Sequence, residues 1–277
     1  MSNYAAISGG GIYIASANAI NFNKNVIMSN YANGGGGIYV KLVNIIHFIN
    51  NIIVNNNASI NGGLVIQLSS EINFINNTVT DNSRDGIYIK ASEHQAKIYI
   101  ANNIIWGNDD GGDIDLSGGI VELYTNNYKG IEGSFKTSIG NIDQDPSFVA
   151  PEEGDYHLSL GSPCINSGYN EASNLPATDK DGNSRIINDF VDMGAYELTD
   201  SFSFDPHPAD SNNNWIIEDN EFNNYNSAWK QGNTWTNGPN PIPLDFVSRA
   251  GFLKESGGTY HNVGGKQPDC WMPGSGE

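Results

Sequence analysis

The chain has 277 residues and a net charge of −18, with 13 Lys and Arg against 31 Asp and Glu. A surface this acidic repels phosphate backbones and anionic membranes, so we expect no nucleic-acid partner and no membrane-surface partner. The sequence has no apolar run of about 18 residues, and no membrane span is predicted. With 32 Gly and only 16% charged residues, the composition favours a turn-rich β protein over a helical bundle.

An internal repeat with a step of 26 residues fills the first 130 residues. Three columns of apolar residues keep this step: Ile20, Ile46, Ile72 and Ile98; Phe22, Phe48, Phe74 and Ile100; and Ile27, Ile53, Val79 and Ile105. Gly-rich turns precede them, as in GGGIYI at 9–14 and GGGIYV at 35–40. Apolar residues alternate with period 2 within each repeat, which predicts short strands. We therefore predict an all-β solenoid whose coils stack as three parallel sheets around one core.

Asparagines form two further columns with the same step: Asn25, Asn51, Asn77 and Asn103; and Asn30, Asn56, Asn82 and Asn108. Asn tolerates left-handed turns and carries both a donor and an acceptor, so stacked amides can satisfy buried backbone groups. We interpret both columns as structural hydrogen-bonded turns. The alternative is a sugar-binding face of asparagines.

The pairing of a GG-x-I turn with an F-x-x-N turn (FNKN at 22–25, FINN at 48–51 and 74–77) resembles a known repeat. It is similar to the right-handed parallel β-helix repeats related to pectate lyases and to those of polymorphic outer-membrane proteins. The resemblance covers residues 1–130 and implies a right-handed parallel β-helix. It does not imply a reaction, since this fold serves lyases, glycosidases, adhesins and spacers.

Residues 131–200 contain NIDQDPSFVAPEEGDYHLSLGSPCINSG at 141–168, DKDGNSR at 179–185 and VDMGAYE at 191–197. These motifs resemble the choice-of-anchor Q module that closes many bacterial secreted β-helix proteins. The resemblance implies a cap and an extracellular or cell-surface location. We expect Tyr156, Leu158, Leu160 and Ile165 to cover the strand edges at the end of the stack. We interpret Asp179, Asp181 and Asn183 as a tight turn, with a calcium site as the alternative.

Residues 201–277 begin a third module. Six residues of DSNNNWIIEDNE at 210–221 occupy ligand positions of an EF-hand loop: Asp210, Asn212, Asn214, the carbonyl of Ile216, Glu218 and Glu221. Trp215 stands where such loops carry Gly. The loop resembles half an EF-hand or one dockerin repeat and predicts one weak calcium site. The alternative is an Asn-rich turn that caps a helix starting near Glu221.

The rest of this module offers fewer signals. Phe222, Tyr225 and Trp229 recur at helical spacing before Gly232 and are expected to form a core. GPNPIPLDFV at 238–247 is expected to be an extended connector. The two cysteines, Cys164 and Cys270, are either unpaired thiols or a disulfide between modules.

Two functions remain open at this point. The first is a non-catalytic, adhesin-like scaffold outside the cell that contacts polysaccharide or other surface proteins. The second is a fragment of a β-helix polysaccharide lyase or glycoside hydrolase, which needs acidic and basic groups facing one groove. The candidates for such groups are Asp81, Arg84, Asp85, Lys90, Glu93, His94, Lys97, Asp109, Asp110, Asp113 and Asp115. We expect most of them to be solvated turn residues and assign none of them as catalytic.

The start of the chain also leads to an expectation. MSNYA at 1–5 reappears at 28–32, one residue off the period, and no signal peptide is visible. We expect Met1 to lie within a longer repeat array. An uncovered first coil would favour end-to-end self-association of coils.

Overall fold

The structure is a computed structural model that describes residues 3–108, 112–159, 161–187, 189–198, 206–236, 241–262 and 271–274. The chain divides into two compact units, residues 1–199 and 200–277. The first unit contains the predicted β-helix, and the second contains the described helices.

Each coil of the β-helix turns through successive faces, which we number in chain order. The first face contains the leading halves of β2 (Ile12–Asn23) and β5 (Ile38–Ile49), then β8 (Leu64–Ser69), β11 (Ile87–Ala91), β14 (Ile114–Ser117) and β17 (Ile131–Glu132). The second face contains the trailing halves of β2 and β5, then β9 (Glu71–Ile75), β12 (Lys97–Ala101), β15 (Ile120–Tyr124) and β18 (Thr137–Ile139). The long strands β2 and β5 join these two faces into one sheet.

The third face is a sheet of five short strands: β3 (Val26–Met28), β6 (Ile52–Val54), β10 (Thr78–Thr80), β13 (Ile104–Trp106) and β16 (Asn127–Tyr128). A fourth sheet, which the sequence did not predict, contains β1 (Tyr4–Ser8), β4 (Tyr31–Gly34) and β7 (Asn57–Ile60). It ends there because the next strand, β11, begins 23 residues after β8 instead of 26. The shorter coil leaves no segment long enough to pair.

Neighbouring coils pair in parallel and keep the predicted register. Ile46 lies opposite Ile20 on one side and Ile72 on the other, and Ile72 lies opposite Ile98. After Ile98 the repeat step shortens from 26 to 23 residues, as shown by Val121 lying opposite Ile98. The residues of the three predicted apolar columns from the second coil onward are buried in one continuous core. The all-β parallel solenoid is confirmed.

Two asparagine ladders run along the turns on either side of the third face. The first ladder contains Asn25, Asn51, Asn77, Asn103, Asn126 and Asn141. The second contains Asn3, Asn30, Asn56, Asn82, Asn108 and finally Asp113. In both, each side-chain amide donates to the oxygen of the next member at 2.9–3.0 Å. The columns are therefore structural, as interpreted from the sequence.

A lateral segment, residues 143–198, packs against the outer side of the third face. It contains β19 (Phe148–Ala150), β20 (Asp155–Leu158), β21 (Ile186–Ile187) and β22 (Phe190–Val191), which pair as two small antiparallel sheets, and a 3-10 turn at Pro151–Glu153. Two clusters hold it to the coils: Tyr156 and Ala195 with Ile52 and Val54; and Leu158, Cys164 and Met193 with Ile104.

This position corrects the expectation that residues 131–200 cover the end of the stack. Residues 131–142 supply β17, β18 and a bridge from Ile142 to Asn127, so they continue the solenoid. Tyr156 and Leu158 are buried as expected, but against the side of the coils, and Leu160 lies outside the described residues. The reason is that Ile52, Val54 and other outward side chains of the third face are apolar and need cover.

A buried ionic network ties the lateral segment together. Arg185 donates to Glu197 at 2.7 Å and to Oδ1 of Asn50 on the solenoid at 2.6 Å. Burial raises the pKa of Glu197 and of Asp192, and the Arg185 charge opposes both shifts. Asp179 accepts the backbone N–H groups of residues 182 and 183 at 2.8 Å. That contact fits the tight turn interpreted from the sequence.

The second unit contains α1 (Asp219–Gln231), α2 (Leu244–Glu255) and a hairpin of β23 (Tyr260–Asn262) and β24 (Trp271–Pro273). Its core includes Ile217, Tyr225, Ala250, Leu253 and Trp271, with Phe222 and Trp229 packed against it. The helix predicted after Glu221 is confirmed, and it ends at Gly232 with a φ of 65°. The extended connector over 238–247 is wrong from Leu244 onward, where α2 begins. Neither described helix has the length and apolar character that crossing a bilayer requires.

Candidate functional site

A groove of about 450 Å³ lies on the outer side of the second face. Its floor is formed by β9, β12 and β15. The polar side chains that line it are Glu71, Asn73, Lys97, Tyr99, Glu122 and Lys136, with Ser173 of the lateral segment on the rim. We name this cavity the second-face groove. Its volume is within the range of sites that hold small ligands.

Strand alternation explains why these side chains face outward. Ile98 and Ile100 of β12 belong to the buried core, so Tyr99 between them points to the opposite side of the sheet. The parallel register places Tyr99 between Asn73 of the preceding coil and Glu122 of the next. Adjacent strands are about 4.8 Å apart, so the floor presents a different polar group at each coil.

Tyr99 is held in place by its neighbours. Its ring centroid is 5.5 Å from that of Tyr124, which is in turn 5.4 Å from that of Tyr169 on the lateral segment. The backbone N–H of Ser173 donates to the Tyr99 hydroxyl at 3.2 Å. Burial raises the pKa of Tyr99 above its ordinary value of 10.0. The groove therefore contains one aromatic ring that is half-buried and oriented from two sides.

The charged groups of the groove are balanced. Lys136 contacts Glu122 at 3.0 Å, and the Asn73 amide donates to Glu71 at 3.3 Å. Lys97 lies directly opposite Glu71 on the neighbouring strand. The groove thus offers two ammonium donors, two carboxylate acceptors and an amide that can do both. This set can bind a neutral, hydroxyl-rich molecule from several directions.

A second group of polar residues lies on the outer side of the first face. Burial, and then repulsion from Asp115, raise the pKa of Asp85. Burial, and then repulsion from Glu132, raise the pKa of Asp115. Tyr88 lies opposite Asp115 on the adjacent strand. Raised carboxyl pKa values are typical of general acids, so this group is relevant to the enzymatic alternative.

The remaining charged candidates are dispersed. Asp81 and Arg84 both adopt positive φ in the turn after β10, and Glu93 and His94 are exposed in the turn before β12. Asp113 is buried at the end of the second asparagine ladder, where it accepts hydrogen bonds from Asn108. Lys90 is exposed on β11, and Asp109 and Asp110 lie outside the described residues. Lys97 is the only one of these candidates that lines the second-face groove.

Two of the three predicted carboxylate ligands of the calcium loop, those of Asp210 and Glu221, are buried and accept hydrogen bonds from protein donors. Oδ2 of Asp210 accepts the backbone N–H of Trp215 at 2.8 Å and the Tyr260 hydroxyl at 2.7 Å. Oε1 of Glu221 accepts the backbone N–H of Ser211 at 2.9 Å. Trp215 adopts a φ of 63°, the conformation for which EF-hand loops use Gly at this position.

The other predicted ligands lie in the same turn. Asn212 accepts the backbone N–H of Asn214 at 3.0 Å, and Asn214 accepts that of Ile216 at 2.9 Å. Glu218 and Glu221 form a reciprocal capping box at the start of α1. All six predicted residues are therefore close in the chain and around one turn. Among the described residues, no three His, Cys, Asp or Glu side chains are grouped in a way that could hold a metal ion.

Comparison with known proteins identifies the family. A family model described as a right handed beta helix region matches residues 2–141, just over half of the chain. The chain therefore belongs to the right-handed β-helix family. No curated protein and no solved structure matches significantly.

Sequence reasoning missed most of the second-face groove. It singled out Lys97 but not Tyr99, because IYI at 98–100 was used only for its two inward isoleucines. In each such strand the residue between two inward-pointing residues must point outward, and this alternation was the signal that could have identified Tyr99. Ser173 could not have been found, since its place on the rim depends on where the lateral segment packs.

Proposed function

We propose that this chain is a non-catalytic, adhesin-like scaffold outside the cell, built to present side-chain surfaces on a rigid β-helix. The observation that carries the proposal is where the repeated polar residues are used. The side chains of the ladder asparagines are engaged in hydrogen bonds between coils. The repeated polar residues therefore stabilise the solenoid and do not form a reactive cluster. The extracellular location is supported by the resemblance of residues 141–197 to modules of secreted β-helix proteins.

The position of the lateral segment also supports a presenting role. It buries the third face through Tyr156, Leu158 and Met193. The first and second faces keep outward tyrosines, among them Tyr13, which is 49% exposed. Tyrosine combines apolar area with a polar tip, which suits reversible contact with polysaccharides or other surface proteins.

A lyase or hydrolase is the second candidate, and the raised pKa values of Asp85 and Asp115 favour it. The test is incubation of the whole chain with neutral and acidic polysaccharides, followed by assay of new reducing ends and unsaturated products. We expect neither product. Cleavage that disappears in the Asp85→Asn or Asp115→Asn variant would replace the scaffold proposal with an enzyme.

We further propose one weak calcium site in the loop 210–221. Asp210 and Glu221 would supply charge, Asn212 and Asn214 neutral oxygens, Ile216 its carbonyl, and Glu218 a ninth-position ligand. The left-handed Trp215 supports the loop geometry. Asp210 accepts three hydrogen bonds and Glu221 accepts four, so the ion would have to compete with these donors for the carboxylate oxygens. We therefore expect a dissociation constant of roughly 10⁻⁴–10⁻³ M.

Calorimetric titration of the whole chain with calcium tests this site. Asp210→Ala and Glu221→Gln should abolish the heat, provided that circular dichroism shows a folded second unit. Asp219→Asn is the matched control, since Asp219 lies next to the loop but is 80% exposed in a contact with Lys254. No heat at millimolar calcium, or equal heats from all the variants, would remove calcium from the proposal.

A further inference from the structure

We infer that the second-face groove binds a strand of neutral polysaccharide, with Tyr99 as the ring on which a sugar stacks. The inference rests on the proposed scaffold function and deepens it by naming a site and a ligand class. Sugar rings present apolar C–H faces and hydroxyl edges. They therefore need an oriented aromatic surface together with donors and acceptors around it.

The floor of the groove rules out recognition of an extended peptide by strand pairing. Peptides that bind sheets do so by pairing with a free strand edge. Here β9 is paired with β5 and β12, and β15 is paired with β12 and β18. The floor strands therefore have no free edge, and a ligand can be recognised only by side chains. A hydroxyl-rich chain is suited to such recognition.

Charge indicates a neutral polysaccharide instead of an acidic one. Lys97 and Lys136 in the groove are matched by Glu71 and Glu122, so the lining carries no net charge. The whole chain carries −18, which disfavours the approach of polyuronates and other polyanions. Hydroxyl groups can accept hydrogen bonds from the ammonium groups and donate them to the carboxylates without disrupting this balance.

Tyr99 is suited to act as the platform because its orientation is fixed before binding. Ser173 holds its hydroxyl and Tyr124 holds its ring, so little side-chain entropy is lost when a sugar stacks on it. Asn73 and Glu122 lie one coil away on either side. Successive sugars can therefore meet an amide, an aromatic ring and a carboxylate in turn along the stack.

The test uses the whole chain and calorimetric titration with neutral hexasaccharides of glucose, mannose, galactose and xylose, and with hexagalacturonate. We expect at least one neutral hexasaccharide to bind and hexagalacturonate not to bind. Tyr99→Ala should weaken binding about tenfold, since it removes one stacking contact. Tyr99→Phe should keep most of the affinity. Added salt should have little effect, because the ligand carries no charge.

Tyr31→Ala is the matched control, because Tyr31 is an exposed tyrosine of the fourth sheet and lies on neither of the faces proposed to contact ligands. It should bind normally, and circular dichroism should show all the variants folded. No neutral binding at millimolar ligand, preference for hexagalacturonate, or equal affinity of Tyr99→Ala and the unaltered chain would each overturn the inference. Product release would instead overturn the non-catalytic function and leave this binding site standing.

Discussion

Breaking one member of an asparagine ladder should destabilise the β-helix far more than any surface change. Asn77 is fully buried, and its amide donates to the carbonyls of Phe48 at 2.9 Å and Ile75 at 3.0 Å and to the next amide, Asn103, at 3.0 Å. Its oxygen accepts both the backbone and the side-chain N–H of Asn51 at 2.9 Å. We predict that Asn77→Ala will leave two buried N–H groups of Asn51, on the preceding coil, without this acceptor.

The magnitude follows from these contacts. Each buried polar group left without a partner costs about 1–3 kcal/mol. The backbone N–H and the side-chain N–H of Asn51 lose their acceptor, and Asn51 is fully buried. Two such groups, with the small cavity left by the amide, give a loss of about 4 kcal/mol in unfolding free energy. That is a large part of the 5–15 kcal/mol typical of a whole domain.

Urea unfolding followed by far-UV circular dichroism measures this loss. Asn44→Ala is the control, because Asn44 is an exposed asparagine whose side chain makes one hydrogen bond to Asn18 at 3.2 Å. The control should lie within about 0.5 kcal/mol of the unaltered chain. A loss of less than about 1 kcal/mol in Asn77→Ala would refute the view that the ladder stabilises the coils.

Four further outcomes are expected. Phe48→Ala should lower the unfolding free energy by about 3–5 kcal/mol in the same assay, because the ring is fully buried in the core. Arg185→Met should cost about 3–5 kcal/mol and make the lateral segment sensitive to limited proteolysis, because it leaves buried carboxylates without their cation. Resistance as strong as that of the unaltered chain would contradict this. Cys164 should resist alkylation at pH 8 in a Cys270→Ser background, because burial raises the pKa of its thiol to about 11. Asp115→Asn should reduce the loss of stability as pH rises above the ordinary carboxyl value of 3.8, because a raised folded-state pKa makes deprotonation favour the unfolded chain. Parallel pH profiles for the two proteins would contradict that reasoning.

The sequence predicted the solenoid because its determinants recur at a fixed step. A residue such as Ile72 is placed by its own coil and by the identical positions above and below, so each repeat confirms the others. The ladders were predictable for the same reason. The strand β6 carried a further signal that was not used. Ile52, Ile53 and Val54 are all apolar, although only Ile53 points into the main core, which indicates cover on both faces.

The lateral position of residues 143–198 could not be derived in the same way. It depends on contacts between residues more than 100 positions apart, such as Asn50 with Arg185. The repeat pattern contains no information about such contacts. The helix α2 was missed because prolines at 241 and 243 dominated the local pattern. Pro243 precedes the helix without entering it, and Phe246, Val247 and Leu253 then supply a buried face. The lateral segment forms the rim of the second-face groove, so that rim could not be predicted from the sequence either.

The paired asparagines of the repeat divide two tasks between adjacent positions. In NN at 50–51, 76–77 and 102–103, the second residue points inward and belongs to the first ladder. The first residue adopts a φ between 52° and 59°, which Asn tolerates better than most residues. Its amide faces the lateral segment instead.

The contacts of that outward column follow the lateral segment from coil to coil. Asn50 donates to the carbonyl of Thr178, Asn76 to that of Asp192, and Asn102 to that of Tyr169. At the two ends of the column the residue changes: Lys24 reaches Thr178 with its ammonium group, and Thr125 donates to Asn102. Two adjacent asparagines therefore occur in these turns where one must bond within the first ladder and the other must bond to the lateral segment. A parallel β-helix of this family that keeps the inward asparagine but carries a side chain without hydrogen-bonding groups at the outward position should lack cover on its third face.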